Sequence, residues 1–229
     1  MNNVLEDRCA GMVTGAYIAD ALAMPAHWYY DRGALQRDYG IIRSYLAPKR
    51  LHPDSIMWRS SYTPLNERGD ILREQAQYWG QPGMHYHPFL RPGENTLNLQ
   101  LVRVLDESLT AKGGYDLDDY LERYIDFMLT PGRHRDTYAE EYHRHFFTHL
   151  ARGWKPQRCG GADVHIGGLA GVGLLCARLG KEAPAAVIEH VGFSHGDADV
   201  LDAAKTLTRM LLALLLGEPL RETILHHAG

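Results

Sequence analysis

The sequence has only three cysteines, Cys9, Cys159 and Cys176, an odd number at unrelated spacings. Such a set argues against a disulfide framework and predicts reduced thiols, as in a cytoplasmic protein. Basic residues are scattered, with no run of Lys or Arg longer than two and a net charge of −4. The charge pattern therefore disfavours a nucleic acid or an anionic membrane as the partner.

Long apolar runs are also missing. The run over residues 9–24 is rich in Ala and Gly but carries Thr14 and Asp20, and the run over residues 210–216 is short. A membrane helix needs about 20 mostly apolar residues. The first residues include acids where a signal peptide needs basic residues. We therefore predict no membrane span, no export signal and a cytoplasmic location.

What the sequence does have is a globular composition, with 45% hydrophobic and 23% charged residues in a chain of 229. A chain of this size can bury one sizeable core without disulfides. Prolines and aromatics are dense between residues 24 and 92, which indicates a folded, aromatic-rich loop layer. Helical periodicity dominates after residue 94, and no alternation typical of a sheet occurs. The sequence thus predicts an all-α fold, a compact helical domain with this loop layer on one face. The predicted helices cover residues 4–23, 32–39, 71–78, 96–112, 117–129, 138–150, 166–179, 183–193 and 197–216.

Two of the predicted helices, over residues 4–23 and 166–179, are made largely of small residues. Gly11 and Gly15 in the first are four residues apart, a spacing that lets another backbone approach closely. We therefore expect both helices to lie at the centre of the fold. The substitution Gly15→Leu would then overpack a helix crossing and cost about 1–3 kcal/mol.

Polar residues at the ends of these helices are the best candidates for chemistry, because no serine nucleophile elbow and no phosphate-binding loop motif occurs. Asp20 ends the first helix on an apolar segment, where an unpaired buried carboxylate is costly. Glu94, Asn95 and Thr96 precede the helix over residues 96–112. These three residues fit a helix cap as well as a binding site.

A second candidate is a histidine pair. His145 and His149 are one helical turn apart, with Glu141 a further turn back, and could share a cation. The alternative is a solvated helix face, because the zinc-protease pattern needs a Glu directly after the first His. That position is Phe146.

Taken in order, these segments resemble the ADP-ribosylglycohydrolase family. The stretch A-D-A-L-A-M-P-A-H over residues 19–27 is similar to the family's G-D-A-L-G-x-P-x-E, and G-E-N-T over residues 93–96 is similar to its T-D-D-T. The glycine-rich stretch 160–175 and the S-H-G-D that begins at Ser194 are similar to later family segments. The resemblance implies a single all-α domain over residues 1–229.

The resemblance also implies a metal site, because family hydrolases hold two Mg²⁺ ions between the T-D-D carboxylates and a C-terminal D-x-D-T. Here Glu94 and Asn95 replace the two Asp residues, Thr96 matches, and His27 stands where the family has Glu. No D-x-D-T occurs in these residues, so we expect a domain without the family's C-terminal metal-motif segment. The expected site is degenerate and holds Mg²⁺ only weakly through Glu94 and Thr96, or not at all.

The function that the resemblance implies is hydrolysis of a glycosidic bond to ADP-ribose or a related nucleoside, with a small-molecule or ADP-ribosylated substrate. His27 would act as acid or base together with Glu94. The residues expected to bind the substrate are Asp20, Asn95, Thr96 and Trp28. We expect these side chains to converge on one cleft beside the loop layer. The alternative is a non-catalytic member of the family that binds a ligand or has a structural, crystallin-like role. The sequence does not decide between the enzyme and this alternative, and it does not specify an oligomeric state.

Overall fold

The computed structural model describes residues 3–227, and the regular secondary structure in that range is helical. No strand forms among these residues, and the β-type pairing is confined to two isolated bridges, Leu51 with Met84 and Gly161 with His195. The expected all-α fold is confirmed. The α-helices of the described range are α1 (Asn3–Ala23), α2 (Arg32–Tyr39), α3 (Leu97–Lys112), α4 (Leu117–Leu129), α5 (Glu141–Ala151), α6 (Val172–Leu179), α7 (Ala183–Gly192), α8 (Ala198–Leu216) and α9 (Leu220–His227).

Most helix ends coincide with local signals in the sequence. Asp31, Asp116 and Asp197 precede α2, α4 and α8, and each side chain accepts hydrogen bonds from backbone N–H groups of the first turn. These bonds satisfy donors that have no partner inside the helix. Gly113 and Gly217 end α3 and α8 in the left-handed conformation that glycine adopts without strain.

The core lies where α3 to α8 meet, and its largest fully buried side chains include Leu105, Tyr124, Phe146 and Leu175. Helix α6 contacts α1, α3, α7 and α8, so it is the central helix of the fold. The second small-residue segment is therefore buried as expected. It is not one helix, however, because a 3₁₀ turn over Ile166–Leu169 precedes α6.

Helix α1 lies at the surface, and its expected central position is wrong. Ala21 is its only buried residue within the described range. An added Cβ at Gly11 or Gly15 would meet nothing within 4 Å. The opposite face of α1 packs on the core through side chains that include Met12 and Tyr17. Gly15→Leu is therefore not expected to overpack a helix crossing.

The segment Asn3–Ala26 is, by length and composition alone, apolar enough to cross a membrane, and 17% of the tested window is buried. The expectation that this segment is too polar to meet that criterion is wrong. One such helix is weak evidence for a span, because core helices and signal sequences pass the same test. In the structure Asp20 of this segment hydrogen-bonds to residues at the start of α3. No membrane protein is indicated.

The region between α1 and α3 is a folded loop layer, as expected, with α2 and short 3₁₀ turns in it. Its interior is a second, smaller apolar cluster in which Met57, Tyr86 and Tyr138 are buried and Trp28 packs against them. The helix predicted over residues 71–78 is a 3₁₀ helix over Arg73–Tyr78. This layer lies beside the N-terminus of α3.

Two further helices, α5 and α9, differ from the sequence prediction. Helix α5 begins at Glu141 rather than at Tyr138, because Tyr138 joins the small apolar cluster and Glu140 has an extended backbone. Helix α9 was not predicted and is held by buried Thr223, whose hydroxyl donates to the backbone oxygen of Pro219.

All three cysteines are free thiols. Cys159 and Cys176 are buried, and burial raises the pKa of each thiol to about 11. Cys9 is half-buried on α1.

Candidate functional site

The N-terminus of α3 is held by two carboxylates from other parts of the chain. Asp20 accepts hydrogen bonds from the amide nitrogen of Asn95 at 2.9 Å, the backbone N–H of Thr96 at 2.8 Å and the Thr96 hydroxyl at 2.7 Å. Asp136 accepts from the backbone N–H of Leu97 at 2.8 Å. Negative charge is favourable there because the unpaired N–H groups of a helix N-terminus carry partial positive charge.

Asp136 also begins a hydrogen-bonded chain of side chains. Its second oxygen lies 2.6 Å from Nδ1 of His87, and Nε2 of His87 hydrogen-bonds to Nδ1 of His27. Because a carboxylate only accepts, His87 donates from Nδ1 and accepts at Nε2, and His27 then donates from Nδ1. This leaves a lone pair on Nε2 of His27, to which nothing in residues 3–227 hydrogen-bonds.

Two more histidines fix the backbone around His27. Nε2 of His52 lies 3.0 Å from the carbonyl oxygen of His27, and Nε2 of His85 lies 3.1 Å from that of Pro25. Burial, followed by the neighbouring His87, lowers the pKa of His27 to about 2 and that of His85 to about 3. His27 is therefore a neutral imidazole that can accept a proton.

His27 and His87 line a small cavity with Asn98, Tyr138 and Glu140. Its volume of about 10 Å³ is close to the space that one water molecule needs. Glu140 receives a hydrogen bond from Asn98 on one carboxylate oxygen at 3.2 Å, and the other oxygen is buried with no partner. Burial raises the pKa of Glu140, which favours the protonated acid.

Glu94 and Asn95 line a different cavity, a groove of about 620 Å³ on the other side of the α3 N-terminus. Arg103, Arg133 and Arg135 line it as well, so the groove presents guanidinium groups suited to an anion. Glu94 forms an ion pair with Arg135 and accepts a hydrogen bond from the backbone N–H of Arg91 at 2.7 Å. The volume falls within the 300–1,000 Å³ range of small-molecule sites.

The side chains that the sequence singled out are thus divided between two neighbouring places. Asp20 joins Asn95 to Thr96 by hydrogen bonds. Asn95 lines the groove, and the adjacent Thr96 lines the small cavity with His27. The expected single cleft for His27 and Glu94 is wrong, because each lines a different cavity. Their chemical roles stay predictions.

Trp28 does not line the small cavity but packs against Tyr138, which does. Its ring stacks on Tyr86 at a centroid distance of 5.0 Å and meets the edge of Tyr138 at 6.0 Å. Its backbone has a φ of 64°, an unusual conformation for a bulky residue. Strained backbone of this kind is typical of functional sites, and the expected substrate contact of Trp28 stays a prediction.

The residues at the start of α3 do not fit a pair of Mg²⁺ ions. Two such ions require several free oxygen ligands, yet both carboxylate oxygens of Asp20 already accept hydrogen bonds, Oδ1 from the Thr96 hydroxyl and Oδ2 from Asn95 and the Thr96 backbone N–H. Glu94 is bound to the guanidinium of Arg135. The Asp20 and Glu94 carboxylates are thus engaged within the protein, and the positively charged guanidinium of Arg135 lies beside Glu94.

Sequence reasoning missed His87, Asp136, Asn98 and Glu140 as parts of the site. Their partners are 42 to 60 residues away in the chain, so no local pattern joins them. The available signal was the pair His85 and His87, two residues apart in the predicted loop layer.

Comparison with known proteins agrees with this architecture. The model of the ADP-ribosylglycohydrolase family matches residues 1–228. That family has an all-α fold, acts on ADP-ribosylated substrates and is generally metal-dependent. No curated protein matches the chain.

Proposed function

Because the chain belongs to the ADP-ribosylglycohydrolase family, we propose that it hydrolyses a glycosidic bond to ADP-ribose or a related nucleoside. The observation that carries this proposal is the pairing of His27 with Glu140 at one cavity, where the environment shifts the two pKa values in opposite directions. A neutral base and a protonated acid are the two groups that glycoside hydrolysis needs.

In this proposal Glu140 donates a proton to the leaving group and His27 accepts one from the attacking water. Asp136 and His87 orient the His27 ring and stabilise the imidazolium that forms. The low pKa of His27 makes it a weak base in the free protein. The negative charge of a bound pyrophosphate raises that pKa towards the working pH.

The groove binds the anionic part of the substrate, with Arg103 and Arg133 as the guanidinium groups that face a pyrophosphate. Glu94 orients Arg135 and faces sugar hydroxyl groups. Asp20 acts as a positioning residue by holding Asn95 and Thr96, and Trp28 packs against Tyr138, which lines the small cavity. We place this activity in the cytoplasm because all three thiols are free.

The proposed reaction does not use the family's pair of Mg²⁺ ions. We expect calorimetry to detect no binding of two Mg²⁺ per chain, and addition of EDTA followed by Mg²⁺ to leave any release of ADP-ribose unchanged. Two Mg²⁺ bound per chain, or release that requires Mg²⁺, would contradict this expectation.

The experiment is a hydrolysis assay on ADP-ribosyl-arginine, ADP-ribosyl-serine and simple nucleosides. Removing the acid or base, in Glu140→Gln or His27→Gln, is expected to lower kcat by about 10²–10⁴-fold with a small change in KM. Arg133→Ala is expected to raise KM instead. The control His149→Gln changes a histidine that stacks on Trp154, outside both cavities, and leaves both constants unchanged.

A second candidate is a non-catalytic member of the family that binds a nucleotide in the groove. The small volume of the His27 cavity favours it, because the cavity admits water but no sugar as it stands. Calorimetry with ADP-ribose separates the two functions. Binding that depends on Arg133, with no hydrolysis of any substrate, would replace the proposed enzyme with this binding protein.

A further inference from the structure

A second group of ionisable side chains lies outside the groove and the His27 cavity. Glu141, Asp163 and His165 each offer a ligand atom, and these atoms lie within 4.8 Å of one another. Glu141 is the first residue of α5, and the other two belong to residues 160–171, which we call the glycine-rich segment. Helix α5 and this segment therefore bring together residues that are more than 20 positions apart.

Asp163 is the unusual member of this group. Its side chain is 3% exposed, and its Oδ1 accepts hydrogen bonds from the backbone N–H and from Nδ1 of His165, at 2.9 and 2.5 Å. Its Oδ2 is buried and has no hydrogen-bond partner. No Lys or Arg within residues 3–227 forms an ion pair with it. A buried carboxylate oxygen without a partner is costly and needs a positive partner.

The unpartnered oxygen faces His145. Nδ1 of His145 lies 4.0 Å from Oδ2 of Asp163, and its Nε2 lies 3.5 Å from Glu141. These separations are longer than ordinary hydrogen bonds. Two ligands of one metal ion are held apart by the ion between them, and the 4.0 Å between Nδ1 of His145 and Oδ2 of Asp163 leaves room for such an ion. The His145 side chain is 49% exposed, so an ion can enter from solvent.

We propose that Glu141, Asp163 and His165 bind one divalent transition-metal ion, and that Nδ1 of His145, which faces Oδ2 of Asp163, turns in as the fourth ligand. The donor set of two carboxylates and two imidazoles fits Zn²⁺, which binds nitrogen and oxygen ligands in a four-coordinate site. Mg²⁺ prefers oxygen ligands alone and retains its waters. The ion places positive charge beside Oδ2 of Asp163, and this satisfies the orphaned oxygen.

This site contains none of the residues at the start of α3 that resemble the family's Mg²⁺ motif. It uses α5 and the glycine-rich segment instead. The proposed metal site is independent of the proposed hydrolysis, because metal binding can be measured without the turnover of any substrate. His149, the other half of the histidine pair singled out in the sequence, points elsewhere, with its Nδ1 2.8 Å from the carbonyl oxygen of Cys159.

The test is calorimetric titration of the chelator-treated full chain with Zn²⁺, Mn²⁺ and Mg²⁺, with elemental analysis after dialysis. We expect one Zn²⁺ per chain and affinity in the order Zn²⁺ over Mn²⁺ over Mg²⁺. Glu141→Gln, Asp163→Asn and His165→Gln are each expected to weaken Zn²⁺ binding by at least about 10-fold. Glu141 is half-exposed, so its variant tests the site without endangering the fold.

Two controls separate this site from other histidines. His149 lies one turn beyond His145 on α5, and the His149→Gln variant should bind Zn²⁺ as the wild type does. A His226→Gln, His227→Gln double variant removes the adjacent histidines at the end of α9 and should also bind normally. Zn²⁺ should raise the unfolding midpoint of the wild type by more than that of Glu141→Gln at the same Zn²⁺ concentration.

Absence of stoichiometric Zn²⁺ binding would overturn the proposal. So would equal binding by the wild type and Glu141→Gln, or loss of binding in the His226, His227 double variant.

Discussion

The two segments richest in small residues have opposite environments. On α1, Gly11 and Gly15 face open space, with nothing near an added Cβ. In the glycine-rich segment, added Cβ atoms would overlap neighbours at nearly every glycine. The positions with a neighbour at 3.0 Å or closer are Gly160, Gly167, Gly168 and Gly171.

This difference shows that the spacing of glycines alone does not reveal whether another part of the chain packs closely against their backbone. Helix α1 turns its larger side chains, such as Met12, towards the core and its glycines outward. The glycine-rich segment runs directly against neighbouring side chains instead. A Cβ at Gly167 would overlap the Glu140 carboxylate, and one at Gly168 would overlap the His195 ring. Small residues are needed there because these side chains occupy the space.

The largest effect is expected for Gly160→Ala. The added Cβ would lie 2.8 Å from the carbonyl carbon of Phe193 and closer still to its oxygen, and backbone cannot rotate away as a side chain can. We expect a loss of about 3 kcal/mol or more in the free energy of unfolding, measured by urea denaturation. The matched control is Gly173→Ala in α6, whose Cβ would meet Met12 at an ordinary 3.7 Å. Equal free energies of unfolding for Gly160→Ala and Gly173→Ala would contradict the expected difference between these two glycines.

The next largest effect is expected on the pH dependence of the free energy of unfolding, because the glycine-rich segment covers buried histidines. His190 packs against Gly171, and burial, with a smaller contribution from His195, lowers the pKa of His190 to about 3. Between pH 6.5 and 3 the unfolded chain binds a proton at this residue and the folded chain does not. The contribution of His190 to the free energy of unfolding is therefore fully present above about pH 6.5. It falls as the pH is lowered from 6.5 to 3, because protonation favours the unfolded chain.

Replacement of this histidine in His190→Gln should make the unfolding free energy less dependent on pH, by up to about 1.4 kcal/mol per pH unit between pH 6 and 4. His226→Gln, on the exposed end of α9, is the matched control and should leave the curve unchanged. A curve for His190→Gln that runs parallel to the wild type would show that the residue is already charged when folded.

The smallest effect is expected on α1. Gly11→Ala and Gly15→Ala place a methyl group in open space and reduce the backbone entropy of the unfolded chain, so each should stabilise the protein by about 0.5–1 kcal/mol. Thermal unfolding of the two single variants checks this. A loss of stability in either would indicate that another surface covers α1 in solution.

Much of the fold could be predicted because its signals are local. Asp116 before α4 and Gly113 after α3 fix helix ends within a few residues of sequence. The position of α1 could not be predicted, since the face that a helix turns inward depends on partners far along the chain. The late start of α5 has the same origin, because the contacts of Tyr138 with Trp28 and Tyr86 compete with helix formation.

The candidate site was only partly accessible from sequence. Family-like motifs brought Asp20 and Thr96 together correctly, because the carboxylate caps the helix that the second motif begins. Glu140 and Asp136 lie in a stretch that resembles no motif, and their burial, the source of their chemical interest, is a property of the folded chain. Sequence therefore located one side of the site and missed the other.

Burial of two of the three thiols makes the rate of alkylation a measure of how often parts of the chain open. A thiol reacts as the thiolate. Buried Cys159, which adjoins Gly160, therefore does not react with iodoacetamide until the chain around it unfolds locally. Cys176 reports in the same way on α6, and half-buried Cys9 gives the reference rate on α1. Faster modification of Cys159 than of Cys176 would place the first opening of the molecule at the glycine-rich segment.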